Sequence, residues 1–192
     1  MNRRLGVLIS GRGSNLKAII DAIAAGRLDA SIAIVISNRA GAPGLDHARH
    51  AGIATLVINH QPFKTREDYD RVLVKELTDR GVALVCLAGF MRLLSPVMVA
   101  AFPNRILNIH PSLLPKYPGL HPQQQALDAG AAVSGATVHF VNEALDAGPI
   151  VLQREVPVLP GDTADTLAER ILHVEHTLYP DAIATVLKEA KS

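Results

Sequence analysis

The chain of 192 residues contains no tryptophan, one cysteine and only 4% aromatic residues. Cys86 alone cannot form an intrachain disulfide, and a cysteine-based zinc site is not expected. Charge of one sign is also missing: the formal net charge is +1, with no long basic or acidic block. Binding to a phosphate backbone needs a concentrated basic face, so nucleic acid is not expected as a partner. The longest apolar run, VALVCLAGFM, has about ten residues, against the ~20 that cross a bilayer. A first strand near Arg4 leaves no room for a signal peptide. Repeats, low-complexity tracts and linker-like stretches are absent as well. What is present is 48% hydrophobic residues in a length that suits one α/β unit. A single cytoplasmic domain over residues 1–192 is the expectation.

Short apolar runs alternate with amphipathic segments. Strands are expected at 5–10, 31–37, 54–58, 82–88 and 105–109, with helices at 15–26, 42–51 and 65–81. Thr65 is placed to cap the third helix, with Asp68 three residues on. Continuous apolar strands separated by helices imply a mostly parallel sheet, Rossmann-like, covered on both faces. The pattern then changes. GATVHFV (135–141) and IVLQREVPV (150–158) alternate and are joined by a short acidic link, which suggests an antiparallel C-terminal strand pair at the sheet edge. A helix from about Thr163 ends the chain, with Pro180 expected to start a separate helical piece.

The loop Ser10-Gly11-Arg12-Gly13-Ser14-Asn15 joins the first strand to the first helix. Glycines and the free N–H groups of a helix start suit a phosphate; a tight turn capped by Ser14 or Asn15 is the plainer alternative. Leu16 stands where the dinucleotide fingerprint needs a third glycine, and Ser37-Asn38-Arg39 replaces its acidic residue. NAD is disfavoured; NADP survives through Arg39. A GK[ST] motif does not occur, so a small phosphorylated metabolite fits best.

Eight histidines are present. His47 and His50 fall on a surface helix, His60 in a loop, and His139 in a strand where it is simply packed. His173, Glu175 and His176 lack the HExxH or HxxEH spacing of a metal site. His110 differs, because it ends the fifth strand at the carboxyl edge, where open α/β sheets place their ligand crevice. Asn108, two residues earlier, points the same way. An amide beside an imidazole can stabilise an oxyanion and move protons near neutral pH. A strand-end histidine with satisfied hydrogen bonds is the alternative. Ser112 lacks a nucleophile elbow. Asp146, in the turn-like segment Asn142–Gly148, would favour the imidazolium if it approached His110.

SGRGSN, LAGFMRLLSP (87–96), NIHPSLLPKYPG (108–119) and VNEALDAGPI (141–150) stand in the order and spacing of the phosphoribosylglycinamide formyltransferases, the folate-dependent transformylases of purine synthesis, which the chain resembles over nearly its whole length. The resemblance implies the formyltransferase fold and assigns Asn108, His110 and Asp146 as the catalytic trio. It implies that Gly13, Ser14 and Asn15 hold a substrate phosphate and that Glu175 contacts the ribose and glycinamide part of 5-phosphoribosylglycinamide. Met91, Arg92, Leu93 and Leu94, with Asn108, Asn142, Glu143, Ala144, Leu145 and Asp146, would clasp the co-substrate 10-formyltetrahydrofolate. Arg66 would meet its glutamate tail. No metal is implied, and a homodimer is left open. The sequence departs from relatives at Leu172 and at Pro122-Gln123-Gln124, and His121 is kept only as a supporting candidate. Related readings are hydrolysis of 10-formyltetrahydrofolate, expected with an added N-terminal domain, and formylation of initiator methionyl-tRNA, expected with a further C-terminal domain and a basic face. More distant ones are an NADP-binding oxidoreductase and a non-catalytic phosphate-binding module.

Overall fold

A computed structural model describes residues 2–189. The chain runs β1 (Arg4–Ile9), α1 (Ser14–Ala24), β2 (Ser31–Ser37), α2 (Gly44–His50), β3 (Thr55–Val57), α3 (Arg66–Asp79), β4 (Leu84–Leu87), α4 (Pro96–Ala101), β5 (Ile106–His110), α5 (Pro122–Asp128), β6 (Val133–Phe140), β7 (Ile150–Pro157) and α6 (Ala164–Glu189). The strands form one sheet in the order β3-β2-β1-β4-β5-β6-β7. Pairing is parallel from β3 through β5, and antiparallel for β5–β6 and β6–β7. The expected mostly parallel sheet with an antiparallel strand pair at its edge is therefore observed.

The alternation of strand side chains divides the core between the two faces. On β1, Leu5, Val7 and Ile9 join Leu16 and Ile19 of α1 and Ile171, Leu178 and Ile183 of α6. Leu8 points the other way, toward Tyr69, Leu73 and Leu77 of α3 and Met98 of α4. Cys86 is fully buried, and burial pushes its thiol up to about 12, so it acts as a small apolar side chain.

Thr65 caps α3 as expected, its hydroxyl accepting from the Asp68 N–H at 3.1 Å. Pro180 does not divide the last helix: α6 runs unbroken through it. An interior proline costs about 3 kcal/mol. Leu178 and Tyr179 before it and Ala182, Ile183 and Val186 after it are all buried. Each fully buried large apolar side chain contributes roughly 1.5–3 kcal/mol, so packing on one continuous core outweighs the lost bond. Two short helices, α4 and α5, have no counterpart in the periodicity; each begins with proline at its start.

Candidate active site

β1, β4 and β5 are neighbours and parallel, so their carboxyl ends open on one edge of the sheet. β5 extends to His110, which places Asn108 and His110 on the same face of the strand. The antiparallel register then sets Asn108 opposite His139 and His110 opposite Thr137.

Asp146 reaches this point from the loop before β7, with a left-handed backbone at φ 49. Its Oδ2 lies 3.5 Å from His110 Nδ1 and accepts the Gly119 N–H at 2.9 Å. Its Oδ1 lies 3.8 Å from His139 Nε2. The other ring nitrogen of His110, Nε2, is 2.9 Å from the Tyr117 carbonyl. Both nitrogens of His110 thus face oxygens that can only accept, an arrangement filled by two N–H donors. All three side chains are buried.

His139 is packed, as its strand position suggested, and it is also a site residue that the sequence reading missed. Burial lowers its pKa, against the opposing pull of the Phe140 carbonyl and the Asp146 charge. Its Nδ1–H donates to the Phe140 carbonyl at 2.9 Å. The neutral ring then offers a lone pair at Nε2, which the Asn108 amide fills from 3.3 Å. One N–H of Asn108 is therefore committed, and the second is available to a ligand.

Beside the trio lies a cavity of about 570 Å³. Each of the folate-contact candidates lines it: Arg66, Met91, Arg92, Leu93, Leu94, Asn108 and the segment from Asn142 to Asp146. Phe90, Leu120 and Val141 add apolar wall. Arg66 is an exposed first residue of α3 and also faces the cavity. Arg92 sits 5.3 Å from the Tyr69 ring centroid, a cation–π contact that steadies it at the wall.

The glycine loop does not form the side-chain-capped turn of the plainer alternative. Gly13 is the N-cap of α1, in the left-handed region at φ 71, and no side chain caps the helix. Neither Ser14 nor Asn15 is used as a cap. A Cβ on Gly13 would lie 2.6 Å from Gly44 Cα, so glycine is required there by the approach of α2. Asn15 turns inward and donates to Glu175 at 2.7 Å, joining α1 to α6 across 160 positions. Glu175 is buried, and burial pushes its carboxyl up to about 7 despite that hydrogen bond. Asn15 Oδ1 is buried without a protein partner. The candidates Asn15 and Glu175 are thus brought together, outside the cavity wall.

Other histidines stand apart. His121 is exposed at the start of α5, with φ 55 and no side-chain cap bond. His173 and His176 face each other at 6.5 Å between ring centroids on α6. Among the described residues, no group of three His, Cys, Asp or Glu is arranged to hold a metal ion. No helix among them is long and apolar enough to cross a membrane.

The Formyl transferase family profile matches residues 3–183. Phosphoribosylglycinamide formyltransferase of Escherichia coli is 51% identical over 178 residues, covering 93% of this chain and 84% of that protein. The trifunctional purine biosynthetic protein adenosine-3 of Drosophila pseudoobscura is 52% identical over 190 residues, 98% of this chain; the chain spans 14% of that protein's length. The crystal structure of glycinamide ribonucleotide transformylase 1 from Symbiobacterium toebii superposes with a TM-score of 0.93 at 54% identity, covering 95% of this chain and 86% of the other. The chain belongs to the formyl transferase family, among the phosphoribosylglycinamide formyltransferases.

Proposed function

We propose that the chain, as a single domain over residues 1–192, transfers the formyl group of 10-formyltetrahydrofolate to the primary amine of 5-phosphoribosylglycinamide, in de novo purine biosynthesis. The observation that carries this reading is the position of Asp146. Its carboxylate faces His110 on one side and His139 on the other, at the rim of a cavity with the size and apolar wall of a site for a flat heterocycle.

In this reading the free amine attacks the formyl carbon. The carbonyl electrons move to oxygen, forming a tetrahedral oxyanion. The free N–H of Asn108 and the doubly protonated ring of His110 stabilise that charge. Asp146 faces His110 Nδ1, orients the ring and orders a water. That water carries the amine's proton to N10 as the carbon–N10 bond breaks, releasing tetrahydrofolate. Gly13, Ser14 and Asn15 hold the substrate phosphate at the start of α1, and Glu175 holds the ribose and glycinamide part. Placing both reactants in one crevice removes much of the entropic barrier.

An absorbance assay with a 10-formyl-folate, run with and without 5-phosphoribosylglycinamide, tests the reading. Folate release that requires the amine is expected. Release at the same rate without it would make the chain a hydrolase, with water as nucleophile in the same trio.

A further inference from the structure

The segment 111–119 leaves β5, loops back over the site and supplies it with two backbone groups. The Tyr117 carbonyl meets His110 Nε2, and the Gly119 N–H meets Asp146 Oδ2. Whatever sets the height of this strap sets the mutual position of the imidazole and the carboxylate. Its own bonds are local: Ser112 Oγ reaches the Lys116 and Tyr117 carbonyls at 2.6 and 3.2 Å. Gln125 of α5 donates to the Pro118 carbonyl at 3.0 Å, and the other side-chain anchors lie on the outer strands. Thr137 of β6 donates its hydroxyl to the Ser112 carbonyl at 2.7 Å and accepts the Leu114 N–H at 3.0 Å. Gln153, opposite Thr137 on β7, donates from Nε2 to the Leu114 carbonyl at 2.7 Å and to Thr137 Oγ1 at 2.8 Å. The Thr137 hydroxyl has one donor and two acceptor sites, and all three are used. The strap also rests directly on β6: a Cβ at Gly135 would lie 2.7 Å from Leu113 Cδ2.

We propose that Gln153 is a positioning residue for formyl transfer: its side-chain amide pins the 111–119 strap onto β6, and the strap in turn holds His110 and Asp146 at their working separation. Gln153 touches neither reacting group. It lies on the last strand of the sheet and is exposed, so its contribution to core packing is small. Both N–H groups of its amide are spent on the strap and on the hydroxyl that anchors the strap. This inference rests on the formyl-transfer reading for its kinetic consequence and on hydrogen bonding alone for its structural one.

Gln153→Glu tests it, because it keeps length and shape while replacing both N–H donors with an acceptor set against the Leu114 carbonyl. Gln153→Ala removes the group, and Gln153→Lys restores a donor. A misplacement of about 1 Å in a catalytic group can cost about 10²-fold in rate. The expected result is a fall in kcat of about tenfold to a hundredfold for Glu and Ala, with KM for both substrates little changed, and substantial recovery for Lys. In 15N-histidine-labelled protein, the His110 ring signals should move in the Glu and Ala variants and return in Lys, while circular dichroism stays that of the wild type. Unchanged His110 signals in folded Gln153→Glu or Gln153→Ala protein would overturn the proposal, as would unchanged kcat. If the wild type transfers no formyl group, the formyl-transfer reading fails by itself, and the histidine signals still decide whether Gln153 holds the strap.

Discussion

Asp146 is the residue on which the site turns, since it contacts His110, His139 and the Gly119 N–H at once. His110→Ala and Asp146→Asn are each expected to lower kcat by about 10²–10⁴, the usual worth of a positioned proton-transfer group. Thermal melts should show both variants folded; near-wild-type turnover in both would sink the assignment of the trio. Glu175 carries a separate prediction. Its carboxyl is raised to about 7 in the folded chain, against an ordinary value of 4.5. From pH 4.5 upward the unfolded chain loses this proton first, so stability falls as pH rises and levels off above about 7. At 1.36 kcal/mol per unit, the total is on the order of 3 kcal/mol. Glu175→Gln removes the titration, so its Tm relative to wild type should climb between pH 5 and 8 and then plateau. A difference independent of pH would refute the buried-acid reading. At this scale Asn108 and His110 were legible as candidates from strand-end position and motif together, whereas Asp146 read as a turn residue and became a candidate through the motif alone. His139 was not, since its role needs the β5–β6 register. The Tyr117 carbonyl and Gly119 N–H were not either, because every residue has such groups and none is marked in the sequence.

At the scale of elements, the cap on α3 and the glycine turn into α1 give two stability predictions. Thr65→Ala removes the hydroxyl that accepts the Asp68 N–H and should cost about 1 kcal/mol, read as a Tm drop of roughly 2–4 °C. Gly13→Ala should cost about 2 kcal/mol or more, combining left-handed strain with the overlap on Gly44. Its urea midpoint should fall with the slope unchanged. Long periodic segments were readable: α1, α3, β1, β2, β6 and β7 stand close to their expected positions. α4 and α5 escaped because six or seven residues are too few to display a helical period. Pro180 misled for the opposite reason: a strong local signal was outweighed by buried contacts on both sides of it, which no local window contains.

For the whole molecule, the mixed sheet gathers groups from β5, the loops after β5 and before β7, and the helices α1 and α6. The Asn15–Glu175 bond joins the first helix to the last beside the same sheet edge. A ligand held there should stabilise the fold globally. At 100 times its Kd, 5-phosphoribosylglycinamide should add about 2.7 kcal/mol, a Tm rise of roughly 5–10 °C. Free phosphate at equal concentration should add far less, since it lacks the part assigned to Glu175. An equal shift from phosphate would place all the recognition at the glycine loop. The parallel sheet and its antiparallel edge were legible from the switch between continuous and alternating apolar runs. The distances that make a site of them were not, because they depend on how two loops fold back over one strand.

The hold on His110 and on Asp146 by backbone groups has a consequence for mutation. A carbonyl or an N–H belongs to the position and not to the side chain, so it survives a point substitution at residue 117 or 119 wherever the replacement accepts the left-handed backbone at both positions (φ 57 and 77) and keeps the N–H at 119. It does not survive a change in the number of residues between them and β5. Within this stretch the number of residues is what keeps the two groups in place, and a one-residue deletion between Ser112 and Tyr117 should do more harm than several replacements in the same interval.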